Sequence, residues 1–209
     1  ELNKVFGVCA MGMGISSIPL MENMPAVILA VVVGTALGLA CHLGEWISRG
    51  GALLEEPISR LLGDRSSDSG LSREEYLSLL VTAIVLFCAS GTGIFGSMHE
   101  GMTGDPTILI AKSFLDFFTA MIFACSLGFA VCAISVPMLV IQLTLAFCAF
   151  MILPLTTPAM MADFTAVGGL LLLATGLRIC GIKMFAVVNM LPALLLAMPI
   201  SAAWTAFFA

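Results

Sequence analysis

Residues 91–118, GTGIFGSMHEGMTGDPTILIAKSFLDFF, crowd five glycines, His99, Glu100, Asp105, Lys112 and Asp116 into a chain that is otherwise mostly aliphatic. The reading of this stretch decides the fold. GTGIFG, Gly91 to Gly96, matches the Gly-x-Gly-x-x-Gly fingerprint of dinucleotide-binding domains, and Asp116 follows at about the spacing of the ribose-binding acid. The fingerprint also needs a strand before it and a helix after it in a parallel βαβ unit. Here it closes a long apolar run, and the later acid lies inside another. Nucleotide binding is therefore set aside and a membrane reading takes its place.

Composition supports that choice. The 209 residues are 60% hydrophobic and only 10% charged, with a mean hydropathy of +1.13, whereas roughly a quarter of the residues of soluble domains are charged. A secretory signal would give a single apolar run near the start; here such runs recur to the last residue. The formal charge of -5 comes mainly from residues 45–75 and implies no nucleic-acid partner. Seven cysteines (Cys9, Cys41, Cys88, Cys125, Cys132, Cys148, Cys180) lie in apolar runs without CxxC spacing, as small buried hydrophobes do. No cofactor or metal is expected, and His99 has no second histidine nearby.

A hydrocarbon core of about 30 Å takes roughly 20 helical residues. Cut at proline, glycine and polar breaks, the chain gives seven spans near 5–18, 25–44, 76–97, 107–133, 136–155, 165–181 and 186–207. The expected fold is an all-α polytopic transmembrane helical bundle forming one domain over residues 1–209. Lys and Arg in short flanks favour the cytoplasm, so Arg49, Arg60, Arg65 and Arg73 place the hydrophilic loop 45–75 inside. Alternation then leaves Lys4, Arg178 and Lys183 inside and the connections 19–24, 98–106 and 156–164 outside without a Lys or Arg. Within the loop, ALLEEPISRLL (52–62) has the apolar face of an interfacial helix, GDRSSDSG (63–70) reads as linker, and SREE (72–75) fits a capping box.

An internal echo joins the two ends. VFGVCAMGMG (5–14) and VGGLLLLATG (167–176) share a Gly-x6-Gly frame, and each precedes a second match, NMPAVILA (23–30) or NMLPALLLA (189–197). By the charge pattern the copies run in opposite directions, as in the inverted-topology repeats of secondary transporters; chance reuse of a small membrane alphabet is the competing explanation. Asn23 and Asn189 occupy matching positions, suited to hydrogen-bonding unwound backbone or a ligand, or to local capping. Ala30, Gly34 and Gly38 form a small-residue stripe for close helix packing, which His42 continues toward the cytoplasmic interface. Asp163 and Arg178 bound the sixth span as interface residues.

Two features carry the candidate chemistry. The glycines Gly91, Gly93 and Gly96 let backbone leave helical geometry, so 91–106 reads either as a re-entrant or broken-helix outer segment, with Ser97, His99, Glu100, Thr103 and Asp105 facing solvent, or as a flexible loop. Lys112 and Asp116 lie four apart on one helix face, about 9 and 15 Å into the span at 1.5 Å per residue. Charges at that depth usually face a bundle interior or an aqueous path; the alternative is a structural ion pair. No nucleophile stands beside a base, and His42 and His99 fall on opposite sides, so no enzyme activity is expected.

FCASGTGIFGSMHEGMTGDPTILIAKSFLDFFTAMIFACSLG (87–128) and VGGLLLLATGLRICGIKMFAVVNMLPALLLAMPISAAW (167–204) resemble the YqgA/YdfK family of bacterial inner-membrane proteins, which carry a domain of unknown function. The resemblance covers nearly the whole chain, is looser over 48–75, and implies a further glycine-rich helix, an eighth, ahead of residue 1. The family's recurrent motif corresponds to Gly96, Gly101, Gly104, Asp105, Lys112, Asp116, Asn189, Pro192 and Ala193. It implies a multi-pass address in the bacterial cytoplasmic membrane but no activity. The expected function is a transporter or channel-like protein for a small solute or ion, with Lys112, Asp116, Asp105, Glu100, Gly91, Gly93, Gly96, Thr103, Asn189 and Asn23 along the pathway. A scaffold or sensor without transport is the alternative. The expected partners are the lipid bilayer and that solute, and the short spans and glycine stripe are compatible with a homo-oligomer.

Overall fold

The computed structural model describes residues 2–62 and 73–208. Among them there is no strand. The helices are α1 (Leu2–Ser17), α2 (Met24–Ala40), α3 (Leu43–Leu62), α4 (Arg73–Cys88), α5 (Gly91–Thr103), α6 (Thr107–Leu127), α7 (Ala130–Ile152), α8 (Pro158–Ile179), the single turn α9 (Val187–Met190) and α10 (Pro192–Phe208). Five helical rods are long and apolar enough to cross a membrane: Glu75–Thr103, Thr107–Leu127, Ala130–Leu155, Pro158–Ile179 and Val187–Phe208. A sixth arises if α2 and the start of α3, bent by 59° at the 41–42 break, count as one span. The expected first span is an apolar helix, Gly7–Leu20, shorter than the roughly 20 residues a bilayer asks for. Length and composition therefore support five or six of the seven expected spans.

Three boundaries differ from the sequence reading; the simplest is that the sixth span, expected from 165, begins at Pro158 and takes in Asp163. The expected break at 134–135 lies instead at Gly128, which takes a left-handed φ of 58° and ends α6. Pro137 is carried inside α7; neighbouring helices and local adjustment re-satisfy the backbone around such prolines in membrane helices. The third difference is in the glycine-rich 91–106 segment, whose residues 91–103 are helical and not a flexible loop, with the break in the span lying just before them at Ala89–Ser90. They form the regular helix α5, opened by Ser90, whose Oγ accepts from Gly93 N–H at 3.0 Å, and closed by Gly104 at φ 72°. Ser97 is fully buried rather than facing solvent. Its glycines serve packing: a Cβ on Gly96 would lie 2.9 Å from both Ile108 and Leu109 of α6, and one on Gly101 would overlap the carbonyl of Ala146 in α7. Residues 63–72, with the expected linker and the Ser72 end of the capping box, lie outside the described residues, as do the side chains of the interfacial stretch from residue 54 onward.

Helix α8 is the axis of the bundle, buried along most of its length and packed against α1, α2, α5 and α10. Its contact with α1 runs through glycines on both sides. A Cβ on Gly14 would stand 2.5 Å from the Gly169 carbonyl oxygen, and one on Gly176 2.5 Å from that of Gly7. The α2–α10 contact uses the small-residue stripe, whose members Ala30, Gly34 and Gly38 are all buried. With no hydrophobic force between helices in lipid, such close backbone approach supplies the packing attraction. A Cβ on Gly38 would overlap the backbone carbonyl of Asn189, which cannot swing aside as a flexible side chain would. Gly38→Ala is therefore expected to destabilise by about 3 kcal/mol, the upper end of overpacking costs. Gly12→Ala, with nothing within 4 Å, is expected to be neutral or stabilising by up to about 1 kcal/mol. Melting of the two variants in the same detergent checks the contrast.

At the α2–α3 turn His42 adopts φ 50°, and its exposed ring meets Glu45 at 3.3 Å. It does not extend the buried stripe.

Candidate functional site

The site is assembled where α4 gives way to α5. The rod 75–103 is interrupted at Ala89 and Ser90, near its middle. The break leaves the first N–H groups of α5 without partners inside the helix; Ser90 takes Gly93 N–H, and the first intrahelical bond runs from Ile94 N–H to the Ser90 carbonyl. Thr92 is affected as well. Helical hydroxyls commonly donate to the carbonyl four residues back, as Ser97 does to Gly93 (2.8 Å) and Thr175 to Leu171 (2.8 Å). For Thr92 that carbonyl belongs to Cys88, on the far side of the break. Thr92 is only 2% exposed, and among the described residues its Oγ1 is the one buried side-chain polar atom without a partner.

Helix α6 brings the charges. Lys112 and Asp116 pair directly through Nζ and Oδ2. The lysine is 2% exposed and the Asp116 side chain 19%. Room for the lysine stem comes from Gly93: a Cβ there would sit 2.6 Å from Lys112 Cε, 3.0 Å from Ser90 Oγ and 3.3 Å from Gln142 Nε2. The break, Gly93 and the pair are thus one construction, with the side chain of Gln142 from α7 beside it.

A cavity of about 540 Å³ reaches this construction. Its polar wall holds Ser90, Gly91, Thr92, Asp116, Thr119 and Thr175, while Val81, Val85, Leu115, Ile179 and Val187 supply apolar wall. Exposed Ser48, Arg178 and Met184 stand at one end, and exposed Thr82 and Leu86 along the side of α4. A smaller cavity of about 170 Å³, bounded by Ile134, Ser135 and Met138 of α7 among others, also touches Asp116 and Phe87. Asp116 therefore lies between two spaces, whereas Lys112 lines neither.

The sequence-nominated residues divide into four places. Lys112, Asp116, Gly91 and Gly93 come together, with Gly96 a turn further along α5. Glu100, Thr103 and Asp105 sit at the other end of α5. There Thr103 donates to the His99 carbonyl (2.8 Å) and Asp105 Oδ1 accepts from Thr107 Oγ1 (2.5 Å) and Thr107 N–H (3.0 Å). Those bonds, the Thr107 hydroxyl first, hold the exposed Asp105 carboxyl below the usual carboxylate range. They describe a helix-connection cap, and none of the three residues borders the larger cavity. Asn23 and Asn189 lie elsewhere again: Asn189 Oδ1 accepts from Gly44 N–H at 2.8 Å, and Asn23 Nδ2 donates to Asp163 Oδ2 at 3.0 Å.

Asp163 is the residue whose setting the sequence concealed. It is buried inside the protein, 1% exposed. Its carboxylate accepts from Glu22 N–H (2.9 Å), Asn23 N–H (2.9 Å), the Asn23 side chain and Ser201 Oγ (2.6 Å), pinning the α1–α2 connection to α8 and α10. Arg178, also expected at an interface, is exposed and borders the cavity. Among the described residues no group of three or more His, Cys, Asp or Glu side chains is placed to hold a metal.

The sequence pattern of the family described as "Protein of unknown function (DUF554)" matches residues 1–202. The chain belongs to the DUF554 family. It is 61% identical over all 209 residues to the uncharacterized protein YqgA of Escherichia coli (strain K12), covering 86% of that protein. It is 29% identical over 195 residues to the uncharacterized membrane protein YdfK of Bacillus subtilis (strain 168), covering 93% of this chain and 80% of that one. No solved structure matches. A relative named as a membrane protein and five spanning-length apolar rods agree, and this DUF554 member is a membrane protein with transmembrane helices.

Proposed function

We propose that this DUF554 protein is a transporter or channel-like protein for a small solute or ion, and that its path passes Asp116 and the lysine paired with it. The observation that carries the reading is the cavity of about 540 Å³ whose wall includes Asp116. A carboxylate and an ammonium held deep in a bilayer are expensive, and such groups usually mark a polar route. Irregular backbone at membrane depth, here Ala89–Ser90, is tolerated where it lines a cavity or is buried in protein. The smaller cavity on the other side of Asp116 is where a path would continue. The reading assigns no catalysis.

In this proposal α1 and the bent α2–α3 pair complete seven spans, and the protein sits in the bacterial cytoplasmic membrane with 45–75, Arg178 and Lys183 on the cytoplasmic side. The cavity then opens inward. The inverted repeat is part of the proposal, and reciprocal contacts support it. Gly7 meets Gly176 while Gly14 meets Gly169, as two antiparallel copies of one frame should. Matching Asn23 to Asn189 and, past the extra Leu191, Pro25 to Pro192 pairs Gly38 with Thr205; Asn189 packs on Gly38, and Asn23 reaches Thr205 at 3.5 Å.

Purified protein in liposomes, screened for flux of labelled ions and small metabolites, tests the reading. Saturable flux above that of empty liposomes is expected. No flux, together with a stoichiometric protein partner on purification, would point to a scaffold instead.

A further inference from the structure

The geometry points to the larger cavity being a binding site for a small organic anion, a carboxylate head on a short apolar chain, with the head seated at the start of α5. The assignment rests on the transport reading of the same cavity and adds the class of solute. Three independent features converge. The first is the helix start itself, a 13-residue helix whose opening N–H groups and positive dipole end favour negative charge; half-helix ends of broken membrane spans hold anionic substrate groups in this way. Gly91 and Thr92, the first two residues of α5, both lie on the cavity wall.

The second feature is the Thr92 hydroxyl, which has no partner. A buried hydroxyl without a hydrogen bond is costly, and a ligand oxygen at the start of α5 supplies the missing one. The third is charge. Asp116 on the cavity wall and Lys112 behind it pair and cancel, and exposed Arg178 at the cavity's end leaves the cluster at net plus one. A monoanion neutralises it, whereas a cation would add to it. The apolar wall of Val81, Val85, Leu115, Ile179 and Val187 fits the chain of the ligand rather than a bare inorganic ion.

The test uses the full chain in detergent and four probes at equal concentration: butyrate, decanoate, butyramide and butylammonium. Binding is read by saturation-transfer NMR and thermal shift. A carboxylate is expected to bind at least tenfold more tightly than the amide or the ammonium. Butyrate binding indicates a water-borne ligand, and decanoate binding alone one that enters from the lipid; either supports the anion site. Thr92→Val, which keeps shape and loses the hydroxyl, is expected to weaken carboxylate binding by about tenfold. Thr92→Ser is expected to retain it, and melting temperatures no lower than that of wild type show that both variants are folded. If carboxylates bind no better than butyramide or butylammonium, or if Thr92→Val binds them as well as wild type, the anion site is overturned. Flux of a cation or neutral solute in liposomes with no carboxylate binding removes this inference and leaves transport standing. Carboxylate binding without flux of any solute does the reverse.

Discussion

Replacing Asp163 with alanine is expected to destabilise the protein by about 3–5 kcal/mol, among the largest effects of any single substitution. Its carboxylate accepts four hydrogen bonds from three residues distant in sequence. Each donor left buried without an acceptor costs roughly 1–3 kcal/mol. Part of this is recovered because Glu22 is exposed and Asn23 half-buried, so water can reach them, whereas Ser201 is fully buried. Ser201→Ala removes a single donor and is expected to cost about 1 kcal/mol, on the scale of a hydrogen bond's net worth. Denaturation in mixed micelles, followed by helical circular dichroism, reads both. Equal stability of Asp163→Ala and wild type would mean that the α1–α2 connection is held by something other than this carboxylate.

Asp116→Asn is expected to reduce flux in liposomes to the level of empty vesicles. Asparagine has nearly the same shape, so the change removes charge and little else from the cavity wall. Its side effect is a buried Lys112 without its counter-charge, and breaking a buried pair can cost about 3–5 kcal/mol. The cost here should fall below that range, since Asp116 retains 19% exposure and borders both cavities. The double substitution Lys112→Met with Asp116→Leu separates the two effects: apolar replacement of a buried pair is often neutral or stabilising, so this protein should fold and still carry no flux. Flux at wild-type rate in either protein would show that the pair is a structural tie.

The sequence disclosed the class of fold through composition, because a chain with 10% charge can satisfy its backbone in lipid only by helices or a closed barrel. It also disclosed Lys112 and Asp116, since a spacing of four fixes them on one helix face whatever surrounds them. The α5 glycines were harder. Glycine signals either a bend or a close neighbour, and the choice depends on Ile108, Leu109 and Ala146, which belong to other helices. Asp163 was hidden for the same reason: its donors lie 140, 141 and 38 residues away. Gln142 had a signal that went unused, as the chain's sole glutamine within a 23-residue apolar helix. Thr92 had none, because its unpartnered state follows from where α4 stops.

Water access to the depth of Asp116 is the point on which transport depends. Thr119, one turn from Asp116 on α6, lines the same cavity. With the seven native cysteines replaced and Thr119→Cys introduced, a membrane-impermeant thiol reagent should label the protein in sealed liposomes from the face bearing Arg178 and Lys183, and not from the opposite face. A thiol at that position that stays unlabelled from both faces, in protein that remains folded, would contradict an aqueous route to the buried pair.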